Sequence, residues 1–429
     1  MPYKTFFDFN NVILFSLGCG IFILPYDLNL NSYCIVFTFL AWLYGVVKGK
    51  VLFKDFKILA IHSFPFLIAV LGLVYTSNVE YGFNYLTRVS SFLILPVIFG
   101  TVSFKARQYD YLQLAFVFGC VVFFLNAILY FFNYDLSELL TGISEENFLF
   151  KFNQFFSKEV MHPTYYATFF LLNIFSLSYF FMKEQSFFIK SFILLLIFIV
   201  LVFLVSLTAK MPIISLVAVL FFVPIFYLVK NFKFKILILY IFLLGSVLML
   251  VNRFLMDVPN RAVQEAYDYY NYLTGKKLEN YYEYKNLQVE YDSFWFKKTN
   301  RVVIWKNSLE LAKESPFIGY GTGDVQDKLI DTYKKNNELW RMQFFNSHNQ
   351  FLDYQLRYGL PGVLLLIAFL FYYFRYAWLN IDFLYLSFLI IITMGFLSEN
   401  FIQRHWGIVF FTFFNSLFYY RIKQLNTKQ

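Results

Sequence analysis

The sequence predicts an all-α, polytopic membrane protein with about twelve transmembrane helices and one long loop outside the membrane. Of its 429 residues, 59% are hydrophobic and only 15% are charged. The mean hydropathy is +0.57, and apolar stretches long enough to cross a bilayer recur along the chain. A soluble domain could not cover its surface with so few polar side chains, so lipid must solvate most of this one.

Apolar stretches bounded by polar residues give the individual spans. They lie at 11–25, 32–47, 57–75, 86–103, 109–133, 163–182, 190–208, 211–229, 236–252, 352–376, 380–398 and 405–420. Three parts of the chain follow: a bundle of nine spans over 1–252, a long loop over 253–350, and three spans with a tail over 351–429.

The cations of the short connections lie in alternate loops, which indicates the orientation of the chain. They are Lys48, Lys50, Lys54 and Lys57, then Lys105 and Arg107, Lys183 and Lys190, Lys230, Lys233 and Lys235, Arg375, and Arg421, Lys423 and Lys428. The positive-inside rule predicts that both termini are cytoplasmic and that the long loop is outside. The net charge of +9 is thus a topology signal, and no nucleic-acid partner is expected.

The long loop is predicted to contain an amphipathic helix over 300–315. Val302, Trp305, Leu309 and Ala312 would share one face, with Thr299 or Asn300 as the N-cap. The glycine-rich segment Gly319–Asp324 follows the helix. It has no preceding strand and no lysine that would indicate a nucleotide site, so we interpret it as a tight turn.

Two cations have chemistry that suits an anionic ligand. Arg301 would open the amphipathic helix, where its charge conflicts with the positive end of the helix dipole unless an anion is shared. The alternative is a solvated surface arginine. Lys210 lies in a hairpin on the predicted outer side, and it either extends to lipid headgroups or meets an anion near the membrane surface.

His348 is predicted to lie at the N-terminus of the span that begins near Phe351. The helix dipole there disfavours the imidazolium ion, and a neutral imidazole can act as a general base. The alternative is an interfacial capping role, shared with Asn346, Ser347 and Asn349. His162 has a similar outer position, for which a structural role is favoured. Further candidates for a cavity wall are Arg88 and Glu399. Asn349 and Asp324 are further candidate site residues.

Taken in order, several segments resemble the signature of the O-antigen ligase and polymerase superfamily. They are Arg301-Val302-Val303-Ile304-Trp305, then the run from Glu314 to Asp324, then His348-Asn349-Gln350-Phe351-Leu352, and finally Tyr358-Gly359-Leu360-Pro361-Gly362. The resemblance covers the long loop and its two flanking helices. It extends to the rest of the chain only through the topology of twelve spans.

The resemblance implies a GT-C-like glycosyltransferase of the bacterial inner membrane, working without a metal or other cofactor and inverting the transferred sugar. Its partners would be an undecaprenyl-diphosphate-linked glycan donor, an acceptor such as lipid A–core, and membrane lipids. Arg301 would bind the diphosphate and His348 would activate the acceptor hydroxyl. Lys210 falls where the family has a second arginine, and lysine lacks the bidentate guanidinium fork.

Three other functions stay open at this point. A polymerase of the same superfamily would join two carrier-linked glycans with the same loop. A twelve-span secondary transporter is a different class, although its usual internal repeat is not visible here. A structural protein of the envelope would perform no chemistry and would tolerate loss of His348.

Overall fold

The structure, a computed structural model, describes residues 9–53, 55–139, 163–207, 209–231, 236, 293–336 and 345–427. Within these ranges every regular element is a helix, which confirms the all-α prediction. The helices are α1 (Phe9–Ile23), α2 (Leu28–Val47), α3 (Phe56–His62), α4 (Phe64–Leu73), α5 (Val79–Val89), α6 (Ser91–Thr101), α7 (Ala106–Leu139), α8 (Pro163–Lys183), α9 (Phe187–Ser206), α10 (Lys210–Lys230), α11 (Ser293–Glu314), α12 (Gly321–Lys335), α13 (Gln350–Leu379), α14 (Phe383–Phe396) and α15 (His405–Asn426).

The predicted spans from 11–25 to 211–229, and those from 352–376 to 405–420, each coincide with a helix or a helix pair. The predicted span at 236–252 lies outside the described residues, apart from residue 236. Among the described helices, seven are long and apolar enough to cross a membrane, or eight if α3 and α4, which meet at 70°, form one span. The chain is therefore a polytopic helical membrane protein, and the number twelve stays a prediction.

One predicted boundary is wrong, because the fourth span, expected to begin at residue 86, begins at Val79. The span expected at 86–103 is part of a longer apolar run over Val79–Thr101, made of α5 and α6. Ser90, which joins them, keeps helical φ and ψ angles, so the chain does not turn there. Arg88 accordingly lies in the last turn of α5, inside the helical run rather than at its outer end.

The last helix, α15, lies inside the bundle. Every residue from Gly407 to Ile422 is buried, and the helix packs against α6, α7 and α14. Phe414 makes an edge contact with Phe116 of α7, with ring centroids 4.7 Å apart. Because lipid is as apolar as these side chains, close van der Waals and aromatic contact must hold the bundle together.

One end of the bundle carries a series of ion pairs. Lys183 at the end of α8 binds Asp110 at 3.0 Å, and Arg421 binds Asp382 at 2.6 Å. Lys423 pairs with Asp55 at this same end. The Lys230 ammonium donates to the last carbonyl oxygens of α13, which precede Asp382. These cations belong to the loops that the charge pattern assigned to one side of the membrane.

The helices α11 and α12 form a small layer at the opposite end of the bundle. Their shared core contains Val303, Ile304, Leu311, Leu329 and Tyr333, and it packs on Leu356 of α13. The apolar face predicted for α11 is therefore partly wrong, since Leu309 is 45% exposed while Asn307 and Ser308 are fully buried. Asn307 can be buried because it donates to the Val303 carbonyl and accepts from Asn336.

The turn between α11 and α12 fits against α13 through two glycines. Gly319 has φ +73°, and a Cβ atom there would come within 2.5 Å of the carbonyl carbon of Arg357. Gly359 has φ +64° and kinks α13 at the point where the turn crosses it. The amide of Tyr320 donates to Leu356 O, and the amide of Leu360 donates to Pro316 O. Of the segment Gly319–Asp324 predicted as a tight turn, only Gly319 and Tyr320 belong to the turn, because Gly321 to Asp324 form the first turn of α12. The turn joins this layer to the bundle.

Candidate active site

Two short loops at the end of the bundle that carries α11 and α12 interlock through side-chain amides. Asn349 caps α13 by accepting from the amides of Phe351 and Leu352 at 3.0 and 3.1 Å. Its own amide donates to Asn400 Oδ1 at 2.7 Å, and its side chain donates to Leu397 O at 3.1 Å. The loop before α13 is therefore held against the loop after α14, which brings His348 next to Glu399.

The Glu399 carboxylate joins the two residues for which the sequence predicted chemistry. Its Oε2 lies 3.2 Å from His348 Nδ1, and its Oε1 lies 3.3 Å from Arg301 Nη2. The Glu399 side chain is only 11% exposed, whereas those of His348 and Arg301 are 23% and 45% exposed. A nearly buried carboxylate thus holds a histidine and an arginine whose outer sides remain open to solvent.

This arrangement determines which nitrogen of His348 carries a proton. An ionised carboxylate can only accept a hydrogen bond, so Nδ1 donates to Glu399. In the neutral ring the lone pair is then on Nε2, which is the form that accepts a proton from a hydroxyl group. His348 has φ +43°, in the left-handed region, and lies directly before the N-cap of α13 as predicted.

The environment predicted for Arg301 needs correction. The helix α11 begins at Ser293 rather than at Asn300, so Arg301 lies about two turns inside it and the dipole effect does not act on it. Neither Thr299 nor Asn300 is the N-cap. The partner of the guanidinium is Glu399 instead. An arginine uses one edge for such a pair and keeps further N–H donors for an anion.

Lys210 is exposed and begins α10. This helix runs antiparallel to α14, because Tyr227 near its end stacks edge-on with Phe383 at the start of α14, with centroids 5.3 Å apart. The first residue of α10 therefore lies at the same end of the bundle as Glu399. Both cations predicted to bind diphosphate are therefore at the end of the bundle that carries Glu399.

The remaining candidates lie elsewhere or outside the described residues. The Asp324 carboxylate accepts from the amides of Ser77 and Asn78, so it stabilises the turn that precedes α5. Arg88 donates to Asn84 O and lies over the Tyr81 ring at 5.5 Å. His162 lies outside the described residues.

Sequence reasoning missed the polar residues that follow Glu399. Asn400 bonds Ser347 and Asn349, and Gln403 bonds Asn346. The signal was the group of polar residues between two apolar spans, interrupted by Phe401 and Ile402, since amide side chains in such a place need partners when they are buried. Asn400 and Gln403 are 1% and 7% exposed.

A family model described as O-antigen ligase matches residues 192–367, which include Lys210, Arg301 and His348. No curated protein matches the chain. The matched region supports a function of the ligase or polymerase type, with a lipid-linked glycan and a glycan acceptor as the general classes of partner. The match, together with the helical membrane architecture, supports membership of this chain in the O-antigen ligase and polymerase superfamily.

Proposed function

We propose that the chain is an O-antigen ligase-like glycosyltransferase. It transfers a polysaccharide from undecaprenyl diphosphate to an acceptor such as lipid A–core at the periplasmic face of a bacterial inner membrane. The observation that carries this proposal is the Glu399 carboxylate, which bridges His348 and Arg301. A base and a cation on one buried anchor are what a transfer to a hydroxyl group from a diphosphate needs.

In the proposed reaction His348 Nε2 accepts the proton of the acceptor hydroxyl. As the hydroxyl oxygen bonds to the anomeric carbon, the bond from that carbon to the diphosphate oxygen breaks. The electron pair leaves with undecaprenyl diphosphate, and a single displacement of this kind inverts the anomeric configuration. The protonated histidine is stabilised by Glu399, as the imidazolium of a serine protease is by its aspartate.

The leaving diphosphate gains negative charge as the glycosyl bond breaks. Arg301 and Lys210 would stabilise that charge more in the transition state than in the ground state. Because these side chains supply the positive charge, the proposed step needs no metal ion. The ordered loops that hold His348 keep its ring fixed before substrate binds, which avoids reorganisation during the reaction.

The orientation in the membrane follows from the two unlike ends of the bundle. The end with Lys183, Lys230, Arg421 and Lys423 would be cytoplasmic, together with both termini. The end with His348 and Glu399 would then face the periplasm. The polymerase alternative uses the same residues and the same side of the membrane, and differs only in the acceptor, which would be a second carrier-linked glycan.

The test is complementation of a deletion strain with the wild-type chain, His348→Ala or Arg301→Ala. Lipopolysaccharide is resolved on a gel, and carrier-linked glycan is measured separately. The matched control is Lys313→Ala, an exposed cation on the same helix as Arg301. All four proteins must be present in the membrane at equal levels.

For the ligase we expect both site variants to lose the polysaccharide ladder while long polymer accumulates on the carrier. A core that carries a single repeat unit would instead identify the polymerase. Lys313→Ala should behave as the wild type. An unchanged ladder with His348→Ala refutes both functions, since neither reaction proceeds at its normal rate without the base.

A further inference from the structure

A series of hydrogen bonds, buried where it begins and partly buried where it ends, runs from α13 to the backbone of His348. It begins with Arg357 and Asp353, which are 1% and 0% exposed, and whose Nε and Oδ2 atoms are 3.0 Å apart. Gln403 Nε2 donates to Asp353 Oδ1 at 2.6 Å. Asn346 Nδ2 donates to Gln403 Oε1 at 2.6 Å, and the amide of His348 donates to Asn346 Oδ1 at 3.1 Å.

The buried ion pair determines which group donates and which accepts in each of these hydrogen bonds. A carboxylate only accepts, so the NH₂ group of Gln403 must face Asp353 and its oxygen must face Asn346. Because Asn346 donates its NH₂ group to Gln403, its oxygen faces the His348 amide. Either amide in the flipped orientation would put two donors or two acceptors in contact inside the protein, at the cost of unsatisfied buried groups.

The last hydrogen bond of this series supports the backbone of His348. His348 has φ +43°, a conformation that a residue with a side chain seldom adopts unless its surroundings hold it there. The bond from the His348 amide to Asn346 is part of that support. With the backbone held in this form, the ring reaches Glu399.

We propose that Gln403 is a positioning residue for His348, acting through Asn346. This inference rests on the proposed role of His348 as the base. Gln403 lies between two polar contacts, both at 2.6 Å, and belongs to the short helix Phe401–Gln403, which begins two residues after Glu399. It therefore links the buried pair on α13, the loop with His348 and the segment with Glu399.

The first test compares two buried glutamines changed to methionine in the full-length chain in proteoliposomes. The donor is undecaprenyl-diphosphate-linked glycan and the acceptor is lipid A–core. Gln403→Met removes both amide bonds at nearly equal volume. Gln113→Met is the matched control, since Gln113 of α7 is fully buried and its two amide atoms have no hydrogen-bond partner among the described residues.

We expect Gln403→Met to lower kcat by about 100-fold, since a displacement of about 1 Å at a reacting group has an effect of that size. The KM for the donor should change less than about twofold, because the cations that hold the diphosphate are untouched. Gln113→Met should leave both constants unchanged. Equal kcat values for the two variants overturn the inference.

The second test does not depend on methionine being tolerated. In Gln403→Glu, the protonated carboxyl group can donate to Asp353 and accept from Asn346, whereas the carboxylate cannot donate. Other ionisable groups nearby are Arg357, Tyr85, whose ring lies 4.2 Å from the Arg357 guanidinium, and Glu399 and Arg404 in the same loop. Because all of these groups are present in the wild type as well, the variant is compared with the wild type at each pH.

We therefore expect the ratio of the Gln403→Glu kcat to the wild-type kcat to rise as the pH falls from about 8 to about 6. A ratio independent of pH overturns the inference. A wild-type protein that transfers no glycan in this assay would instead refute the proposed function. An active wild type with an unimpaired Gln403→Met would refute the positioning role alone.

Discussion

The substitution Glu399→Gln tests the centre of the proposed site. It keeps the size of the side chain and removes the negative charge shared by His348 and Arg301. A hydrogen bond to a charged group contributes about 1.5–3 kcal/mol. The Arg301 side chain is 45% exposed, so solvent screens its contact and we count only the bond to His348. Since 1.36 kcal/mol changes a rate tenfold, kcat should fall about 10- to 160-fold.

The assay is the initial rate of glycan transfer in proteoliposomes, with the rate measured over a range of donor and acceptor concentrations. Glu314→Gln is the matched control, because Glu314 is an exposed carboxylate at the end of the helix that carries Arg301. We expect the control to match the wild type. A Glu399→Gln protein with wild-type kcat would show that His348 does not depend on the carboxylate, and the proposed mechanism would fail.

Three further predictions concern the outer layer and the second cation. Gly319→Ala should lower the melting temperature in detergent more than Gly49→Ala. Both glycines have positive φ, a conformation that costs about 1–2 kcal/mol for alanine. Only at Gly319 would the added Cβ atom also meet other atoms. Lys210→Arg should lower the donor KM about threefold, because a guanidinium adds a second hydrogen bond to phosphate. Glu310→Gln should abolish the loss of amide-exchange protection that α12 shows at acid pH, with protection measured relative to exchange from an unstructured chain at the same pH. The hydrogen bond from Asn336, with the charge of Lys335, holds the pKa of Glu310 below 4.5. The ionised carboxylate therefore stabilises the layer above pH 4.5, and this stabilisation is lost as the pH falls through the lowered pKa.

Each of these has an outcome that contradicts it. Equal melting temperatures for the two glycine variants would mean that α13 does not crowd the turn, since a Cβ atom added at Gly49 would meet no other atom within 4 Å. A donor KM unaffected by both Lys210→Arg and Lys210→Met would remove Lys210 from the diphosphate site. Amide-exchange protection in α12 that depends on pH in the same way in the wild type and in Glu310→Gln would show that this carboxylate does not stabilise the layer.

The helix α11 shows why a local pattern of apolar residues is insufficient to predict which face of a helix is buried. The period of apolar residues predicted a helix there, and a helix is present. The same period predicted the wrong buried face, since Asn307 is buried and Leu309 is exposed. A polar side chain can occupy the core when a partner from another helix satisfies it, and Asn336 is that partner. The identity of such a partner is not visible in the sequence of α11.

In the candidate site, too, residue types were predictable from the sequence, whereas their contacts depend on helix packing. Arg301 and His348 were predicted from their types and from their neighbours in the chain. Glu399 was predicted only as part of a cavity wall, and its contact with both residues depends on how α11, α13 and α14 meet. Gln403 was not predicted, because an amide between two spans has no chemistry of its own until its partners are known.

The sequence by itself determined that lipid surrounds this chain, where most of its helices lie and which end of the bundle carries the cations. Those properties depend on composition and on the apolar length needed to cross a bilayer, and both are local. Only the tertiary structure decided that Glu399 joins Arg301 to His348 across 98 and 51 residues of sequence. Hydrogen bonds between such distant residues depend on helix packing, which a linear pattern of residue types does not specify.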